Sequence, residues 1–224
     1  MAAGALVVFE GPEGAGKSTQ IRRLTSDLAA AGLPFLAVRE PGGTVLGDEI
    51  RRLLLDVPHE MHARAEALLF MASRAELVER EIRPALAAGT LVIADRFFLS
   101  TYAYQMAGRG LPEADVVAAN RFATGGLRPD LTLLLRMPAE AGLERADRRG
   151  HRDRIERADD DFHARVAAGF LSFADLAWQR VHPEAGPIVA VDANAAEGVV
   201  YASVIRELAA RWPETFGALA ESNQ

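Results

Sequence analysis

The sequence contains no cysteine, and this absence excludes several kinds of chemistry. A chain without thiols forms no disulfide framework, no thiolate zinc site and no cysteine nucleophile. Long hydrophobic runs are also missing, because no stretch approaches the roughly 20 uninterrupted apolar residues that cross a bilayer. We therefore expect a cytoplasmic protein with no signal peptide and no membrane partner.

Lysine is almost absent. Lys17 is the only lysine among 25 basic residues, and all the others are arginine. Arginine and lysine are not interchangeable where a compact ammonium must fit a tight loop, so this single exception draws attention to position 17. The net charge of −6 argues against general nucleic-acid binding and favours small-molecule partners.

Five short apolar runs alternate with segments of helical periodicity. This alternation predicts an α/β fold, in which a five-stranded parallel sheet carries helices on both faces. We find no internal repeat or low-complexity linker, so we expect one domain over 1–212 and a frayed tail over 213–224. The predicted strands are 5–10, 35–39, 91–94, 131–135 and 188–191, and the predicted helices are 18–31, 44–55, 62–88 with a bend before Pro84, 139–148, 162–180 and 195–211.

A glycine-rich segment between the first strand and the first helix matches the phosphate-binding pattern G-x-x-x-x-G-K-[ST]. Its glycines let backbone N–H groups point at phosphate oxygens, and the helix behind adds the positive end of its dipole. We predict that Lys17 bridges the outer phosphates of ATP and that Ser18 ligates Mg²⁺. The alternative is a glycine-rich turn without a ligand. The segment consists of Gly11, Pro12, Glu13, Gly14, Ala15, Gly16, Lys17 and Ser18, with Thr19 next.

Because this motif lies between a predicted strand and a predicted helix, it predicts a P-loop NTPase-type three-layer sandwich. Asp95 and Arg96 follow the third strand, and ligands of parallel sheets bind at the carboxyl ends of strands. Asp95 is therefore a candidate Mg²⁺ ligand, and Arg96 a candidate clamp for a second phosphate. The alternative is a strand-end ion pair without a ligand.

Residues 145–157 contain six arginines interleaved with acidic residues. Such a segment is either a solvated helix face or a lid that closes over ATP and brings arginine to the moving phosphoryl group. The phosphate loop favours the lid. Phe70 and Arg74 lie one helical turn apart, so they share a face that either contacts a base or packs in the core.

The motifs together resemble those of the bacterial-type thymidylate kinases. REPGGT and ST-x-AYQ are much more specific than the phosphate loop, and the matching pieces run in order through nearly the whole chain. The resemblance implies transfer of the γ-phosphate of ATP to dTMP, with Mg²⁺, by a homodimer. The matching pieces are FEGPEGAGKST, REPGGT, RRLLL, ALLFMASRAE, ADR, STYAYQ, RPDLTLLL and DRIE.

The resemblance also implies roles for individual residues in the acceptor pocket. Phe70 would stack on thymine, Arg74 would hydrogen-bond the base, and Thr101 and Gln105 would help to read it. Arg51 and Arg96 would hold the acceptor phosphate, and Glu13 would face the sugar and acceptor side.

In this family the catalytic arginine comes from the phosphate loop or from the lid. The loop here has no arginine, so the lid should supply it, and Arg149 and Arg154 are the candidates. Two positions depart from the family pattern: Phe97 replaces a frequent tyrosine, and Arg136 replaces a frequent acidic residue.

The predicted mechanism is direct in-line transfer without a covalent intermediate. Lys17, Mg²⁺, Arg96 and lid arginines would stabilise the charge. Two alternatives stay open at this point: a kinase for another monophosphate or a nucleoside, and a non-catalytic nucleotide sensor. A guanine-selective switch with an N-K-x-D motif is excluded, because the only lysine lies in the phosphate loop.

Overall fold

The computed structural model describes residues 4–56, 60–138, 141–142, 144–145, 150 and 153–221. Its centre is a parallel sheet of five strands in the order β2-β3-β1-β4-β5, which confirms the predicted fold class. The strands are β1 (Ala5–Glu10), β2 (Phe35–Arg39), β3 (Leu91–Asp95), β4 (Leu131–Arg136) and β5 (Ile188–Asp192).

Strand β1 is the middle strand, and every one of its residues is buried. Its side chains alternate between the two faces of the sheet: Leu6 and Val8 belong to one apolar core, and Val7 and Phe9 to the other. A strand buried on both faces reads as a continuous apolar run, which is why the sequence predicted it.

Helices cover both faces of this sheet. The helices are α1 (Lys17–Ala30), α2 (Val45–Leu55), α3 (Ala63–Leu77), α4 (Arg83–Ala87), α5 (Phe98–Thr101), α6 (Glu113–Thr124), α7 (Asp160–Ser172), α8 (Leu176–Val181), α9 (Glu197–Arg211) and α10 (Pro213–Glu221). One core is completed by α1, α9 and α10, and the other by α2, α3 and α7 together with the segment after α5.

Two segments widen into π-helix. The first, Val78–Ile82, joins α3 to α4 directly before Pro84, at the place where the sequence predicted a bend. Proline lacks an N–H and its ring clashes with the carbonyl four residues earlier, so a wider turn relieves the conflict. The second, Tyr102–Gly108, continues α5 and carries residues of the candidate site.

Two helical predictions differ from the structure. The helix expected over 162–180 is interrupted after Ser172, where α7 ends and Asp175 caps a separate helix α8; α7 itself begins earlier than expected, after its capping residue Asp159. The frayed tail expected after Trp212 is wrong over 213–221, where α10 packs a fully buried Phe216 against the core. The helix expected over 139–148 lies mostly outside the described residues.

Among the described helices, none has both the length and the apolar character required to cross a bilayer.

Candidate active site

The phosphate loop connects β1 to α1 at the carboxyl edge of the sheet. Gly16 caps α1 in the left-handed conformation, with φ 86°, which glycine adopts without strain. Gly11 has φ 144°, and a Cβ there would lie 2.4 Å from the carbonyl oxygen of Leu135. The chain can therefore make this turn, close to β4, only with glycine at these two positions.

Lys17 folds back over this loop. Its Nζ donates hydrogen bonds of 2.9 Å to the carbonyl oxygens of Gly11 and Pro12. Burial, followed by the nearby charge of Arg96, lowers the pKa of the ammonium from 10.5 to about 8. A bound phosphate would supply the negative charge that this buried cation lacks.

Ser18 and Asp95 form the candidate metal site. The Ser18 hydroxyl donates a hydrogen bond of 2.8 Å to Oδ2 of Asp95, so two oxygen ligands converge beside the phosphate loop. The described residues contain no group of three or more His, Cys, Asp or Glu that would form an all-protein cage. Mg²⁺ usually takes only one or two protein ligands and completes its shell with phosphate oxygens and water, so this pair fits it.

Arg96 follows β3 and has the only positive φ, 73°, of any non-glycine residue in the described part of the chain. Such backbone strain persists only where surrounding contacts hold it, and it is common at functional sites. The backbone N–H of Arg96 donates to Phe9, and its guanidinium donates to the carbonyl of Gly11 at 3.2 Å and to Ser100 at 2.9 Å.

The carboxylate of Glu13 pairs with the same guanidinium and accepts a hydrogen bond of 3.2 Å from the hydroxyl of Tyr104. Burial disfavours the charge on Arg96, but Glu13, Tyr104, Asp95 and Glu10 outweigh burial and raise the pKa of the guanidinium. Glu13 therefore holds the predicted phosphate clamp against the phosphate loop.

Glu10 was not among the predicted site residues. Its buried carboxylate accepts hydrogen bonds from the backbone N–H groups of Phe97 and Ser100, at 2.7 and 3.0 Å, and from the Ser100 hydroxyl at 2.7 Å. It thereby caps α5 from the neighbouring strand and fixes the segment that follows Arg96. In the sequence, Glu10 is simply the last residue of an apolar run, and no neighbouring residue indicates which groups its carboxylate contacts.

Arg74 lies at the acceptor end of the site, but its hydrogen-bond donors are already engaged. All five N–H groups donate within the protein, so Arg74 can bond a base only if one of these contacts is exchanged. The partners are Glu40 for Nε and Nη2, Thr101 and Asn120 for Nη1, and the carbonyl of Phe97 for Nη2.

The other predicted base and phosphate contacts line the same cleft. Phe70 lies one turn before Arg74 on α3, and Thr101 accepts a hydrogen bond of 2.9 Å from Arg74. Gln105, on the second π segment, donates to Glu66 at 3.0 Å. Arg51 donates to the carbonyl of Pro41 at 3.0 Å, and burial, with the charge of Arg39 second, lowers its pKa.

Of the two candidate lid arginines, Arg154 is described, and its contacts are with residues outside the phosphate loop. Arg154 donates to the carbonyl of Leu54 at 2.7 Å and to Glu66 at 2.8 Å, and its backbone N–H donates to Leu55. Arg149 lies outside the described residues. Arg145 does line the cleft, where it donates to the carbonyl of Ala193 at 3.2 Å.

Most of the described site residues line one cleft of about 990 Å³. The residues that line it include the phosphate loop from Glu13 to Thr19, the predicted base contacts Phe70, Thr101 and Gln105, and the arginines Arg51 and Arg96. A volume near the upper end of the range for ligand sites suits two nucleotides better than one small ligand.

Comparison with known proteins agrees with this geometry. A sequence profile described as thymidylate kinase matches residues 9–195. The chain belongs to the thymidylate kinase family. A thymidylate kinase from Deinococcus radiodurans is 48% identical over 180 residues, which cover 80% of this chain and 87% of the relative. The thymidylate kinase of Pseudomonas fluorescens (strain Pf-5) is 49% identical over 79% of this chain and 85% of the relative. That of Bdellovibrio bacteriovorus is 41% identical over 92% of this chain and 95% of the relative.

Thymidylate kinases phosphorylate dTMP with ATP to give dTDP. One of the two departures from this family's pattern has a structural account. Phe97 is fully buried and packs edge-on against Phe98 with 4.9 Å between ring centroids, so a hydrophobic ring suits this position. Arg136 is exposed at the end of β4, and nothing in the structure explains why an arginine stands there.

Proposed function

We propose that this chain is an ATP:dTMP phosphotransferase, which gives dTDP and ADP for dTTP biosynthesis. The observation that carries the proposal is one cleft whose lining combines the phosphate loop from Glu13 to Thr19 with the polar and aromatic side chains of Phe70, Thr101 and Gln105. A nucleotide kinase needs two nucleotides held with their phosphates in line, and this cleft offers a place for each.

The proposed reaction is in-line attack of a dTMP phosphate oxygen on the γ-phosphorus of ATP. The loop N–H groups and Lys17 would hold the ATP phosphates, and Arg51 and Arg96 the acceptor phosphate. The acceptor phosphate is ionised near neutral pH, so no strong general base is required. Ser18 and Asp95 would hold Mg²⁺, which supplies charge neutralisation on the phosphates when bound.

Residues 145–157 are proposed as the lid of a single kinase domain, which was expected over 1–212 and which α10 extends to Glu221. In the described conformation Arg154 is held by Leu54 and Glu66, so a catalytic role for Arg154 requires its release as the lid closes. Arg149 remains the second candidate. An arginine that joins only the closed state would stabilise charge where it develops in transfer.

We also propose that the protein is a cytoplasmic homodimer. The support for a dimer is a pair of large apolar side chains on adjacent helices: Phe122 on α6 is 90% exposed, and Leu68 on α3 is 65% exposed. Exposed apolar groups clustered on one face often mark an interface.

The direct test is ADP release from MgATP with a panel of dTMP, dUMP, UMP, CMP, AMP and GMP. The proposal predicts the highest kcat/KM with dTMP. Preference for a different monophosphate would support phosphoryl transfer but contradict the assignment of a thymine pocket. Folded protein that binds ATP and turns over none of the panel would contradict the proposed function.

A further inference from the structure

Glu66 is a buried carboxylate in the wall behind the base pocket. It lies on α3 one helical turn before Phe70 and two turns before Arg74, so the three share a face of the helix. Glu66 is fully buried, and it does not itself line the cleft formed by the described residues. Its contacts are with Gln105, Arg109 and Arg154.

Glu66 is ionised at neutral pH. Burial opposes its charge, but hydrogen bonds from Arg109, Gln105 and Arg154 outweigh burial and hold the pKa of the carboxyl below its usual value. An ionised carboxylate is an acceptor only, so the group of Gln105 that faces it must be the amide nitrogen. The distance from Nε2 of Gln105 to Oε1 of Glu66 is 3.0 Å.

This contact decides what Gln105 presents to the cleft. With its nitrogen turned to Glu66, Gln105 has its carbonyl oxygen Oε1 left over, and this atom accepts no hydrogen bond from any residue in the described part of the chain. Gln105 lines the cleft, and Oε1 is not among the fully buried unpaired atoms of the described residues. A residue that lines the cleft and directs its amide nitrogen to Glu66 leaves Oε1 as the atom that can accept a hydrogen bond from a ligand.

Thymine and cytosine differ at the atom that such an acceptor would read. Thymine carries a hydrogen on N3, whereas N3 of cytosine is itself an acceptor. We propose that Glu66 is a positioning residue for base selection, because it locks the Gln105 amide so that Oε1 accepts the N3–H of thymine. This inference rests on the proposed dTMP kinase activity. Glu66 touches no substrate, and because it also binds the lid residue Arg154, its effect on the base is measured as a ratio between two substrates that share the same lid.

The variant that tests the proposal is Glu66→Gln. The new amide can donate to Gln105, so Gln105 is free to turn and present its nitrogen to the base. We expect the ratio of kcat/KM for dTMP to that for dCMP to fall about tenfold, the size of one directional hydrogen bond. Both substrates use the same phosphate machinery, so the ratio is insensitive to changes in phosphoryl transfer. The ratio of dTMP to dUMP should not change, because uracil also carries N3–H.

Two comparisons separate positioning from general damage. Arg109→Met removes another partner of Glu66 and leaves the carboxylate on Gln105, so it should lower stability without changing the dTMP/dCMP ratio. In a double-mutant cycle, Glu66→Gln should have no further effect on that ratio in a Gln105→Leu background. An equal effect in both backgrounds, or an unchanged ratio in Glu66→Gln alone, would overturn the proposal.

A measurement on the unaltered protein decides the matter if Glu66→Gln does not fold. The side-chain N–H resonances of Gln105, identified by their loss in Gln105→Leu, should be protected from hydrogen exchange with and without dTMP. Rapid exchange in both states would overturn the proposal. Failure of the wild type to turn over dTMP would instead count against the proposed function, and the protection measurement would still report the amide orientation.

Discussion

Lys17 occupies a position where burial works against its charge. Its ammonium sits between two loop carbonyls at 2.9 Å, and its pKa is lowered to about 8. Above that pH the free enzyme loses the positive charge that would receive the ATP phosphates, although an ordinary lysine would keep it to higher pH.

We therefore predict that kcat/KM for MgATP falls as the pH rises through about 8, because the lowered pKa brings deprotonation into this range. The check is a pH profile from about 6.5 to 9.5 at saturating dTMP, with Lys17→Arg as the matched variant. Arginine is too large to take the position of the Lys17 side chain over the loop, so this variant should lose about 100-fold or more in kcat. Its kcat/KM should show no decline near pH 8, because arginine does not titrate in this range. A flat wild-type profile would contradict the assignment.

At the scale of elements, the junction between β1 and α5 holds the strained Arg96 in place. Glu10 ends the strand and accepts three hydrogen bonds from Phe97 and Ser100, one residue and four residues after Arg96. The strand thereby caps a short helix that has no capping side chain of its own. Rigid placement of Arg96 follows from this contact.

Replacing Glu10 with glutamine should disturb this junction. The amide keeps only one acceptor oxygen, so a buried donor is left unpaired, and we expect a loss of about 1–3 kcal/mol in the free energy of unfolding. Turnover should also fall, because Arg96 loses its fixed position. Urea denaturation and steady-state kinetics measure both. Glu49→Gln, at an exposed pair with Arg52, is the control and should behave like the wild type.

Glu10 and Glu66 also show where prediction from sequence stops. The strands and the phosphate loop were predictable, because buried runs and the glycine-lysine pattern are local signals. Glu10 acts on a backbone N–H 87 residues away, and Glu66 acts on an amide 39 residues away. Such partners become visible only when the fold brings them together. The sequence could not predict that every N–H donor of Arg74 is hydrogen-bonded within the protein, for the same reason.

The lid is the second element that carries a prediction. At least one of Arg149→Ala and Arg154→Ala should lower kcat about 100-fold or more, the size expected when an arginine that stabilises transfer is removed. Arg52→Ala, in an exposed pair on α2, is the control and should have little effect. If neither lid variant lowers kcat substantially, the lid does not supply the catalytic arginine.

At the scale of the whole molecule, the surface of α3 and α6 carries the prediction of a homodimer. Phe122→Glu places a charge where a 90% exposed ring would otherwise meet a second copy, so the dimer should dissociate. Light scattering after size exclusion measures the mass. Leu176→Glu, at a 66% exposed position on α8, is the matched control and should leave the dimer intact. A wild-type mass of one chain, or a dimer that survives Phe122→Glu, would contradict this interface.

The central claim is that the cleft transfers the terminal phosphate of ATP to dTMP. The most direct measurement supplies ATP labelled in its γ-phosphate together with an equimolar mixture of dTMP, dCMP, AMP and GMP, and separates the products. The label should appear in dTDP. Label recovered mainly in another nucleoside diphosphate would contradict the thymine pocket, and label released only as inorganic phosphate would contradict phosphoryl transfer to a nucleotide.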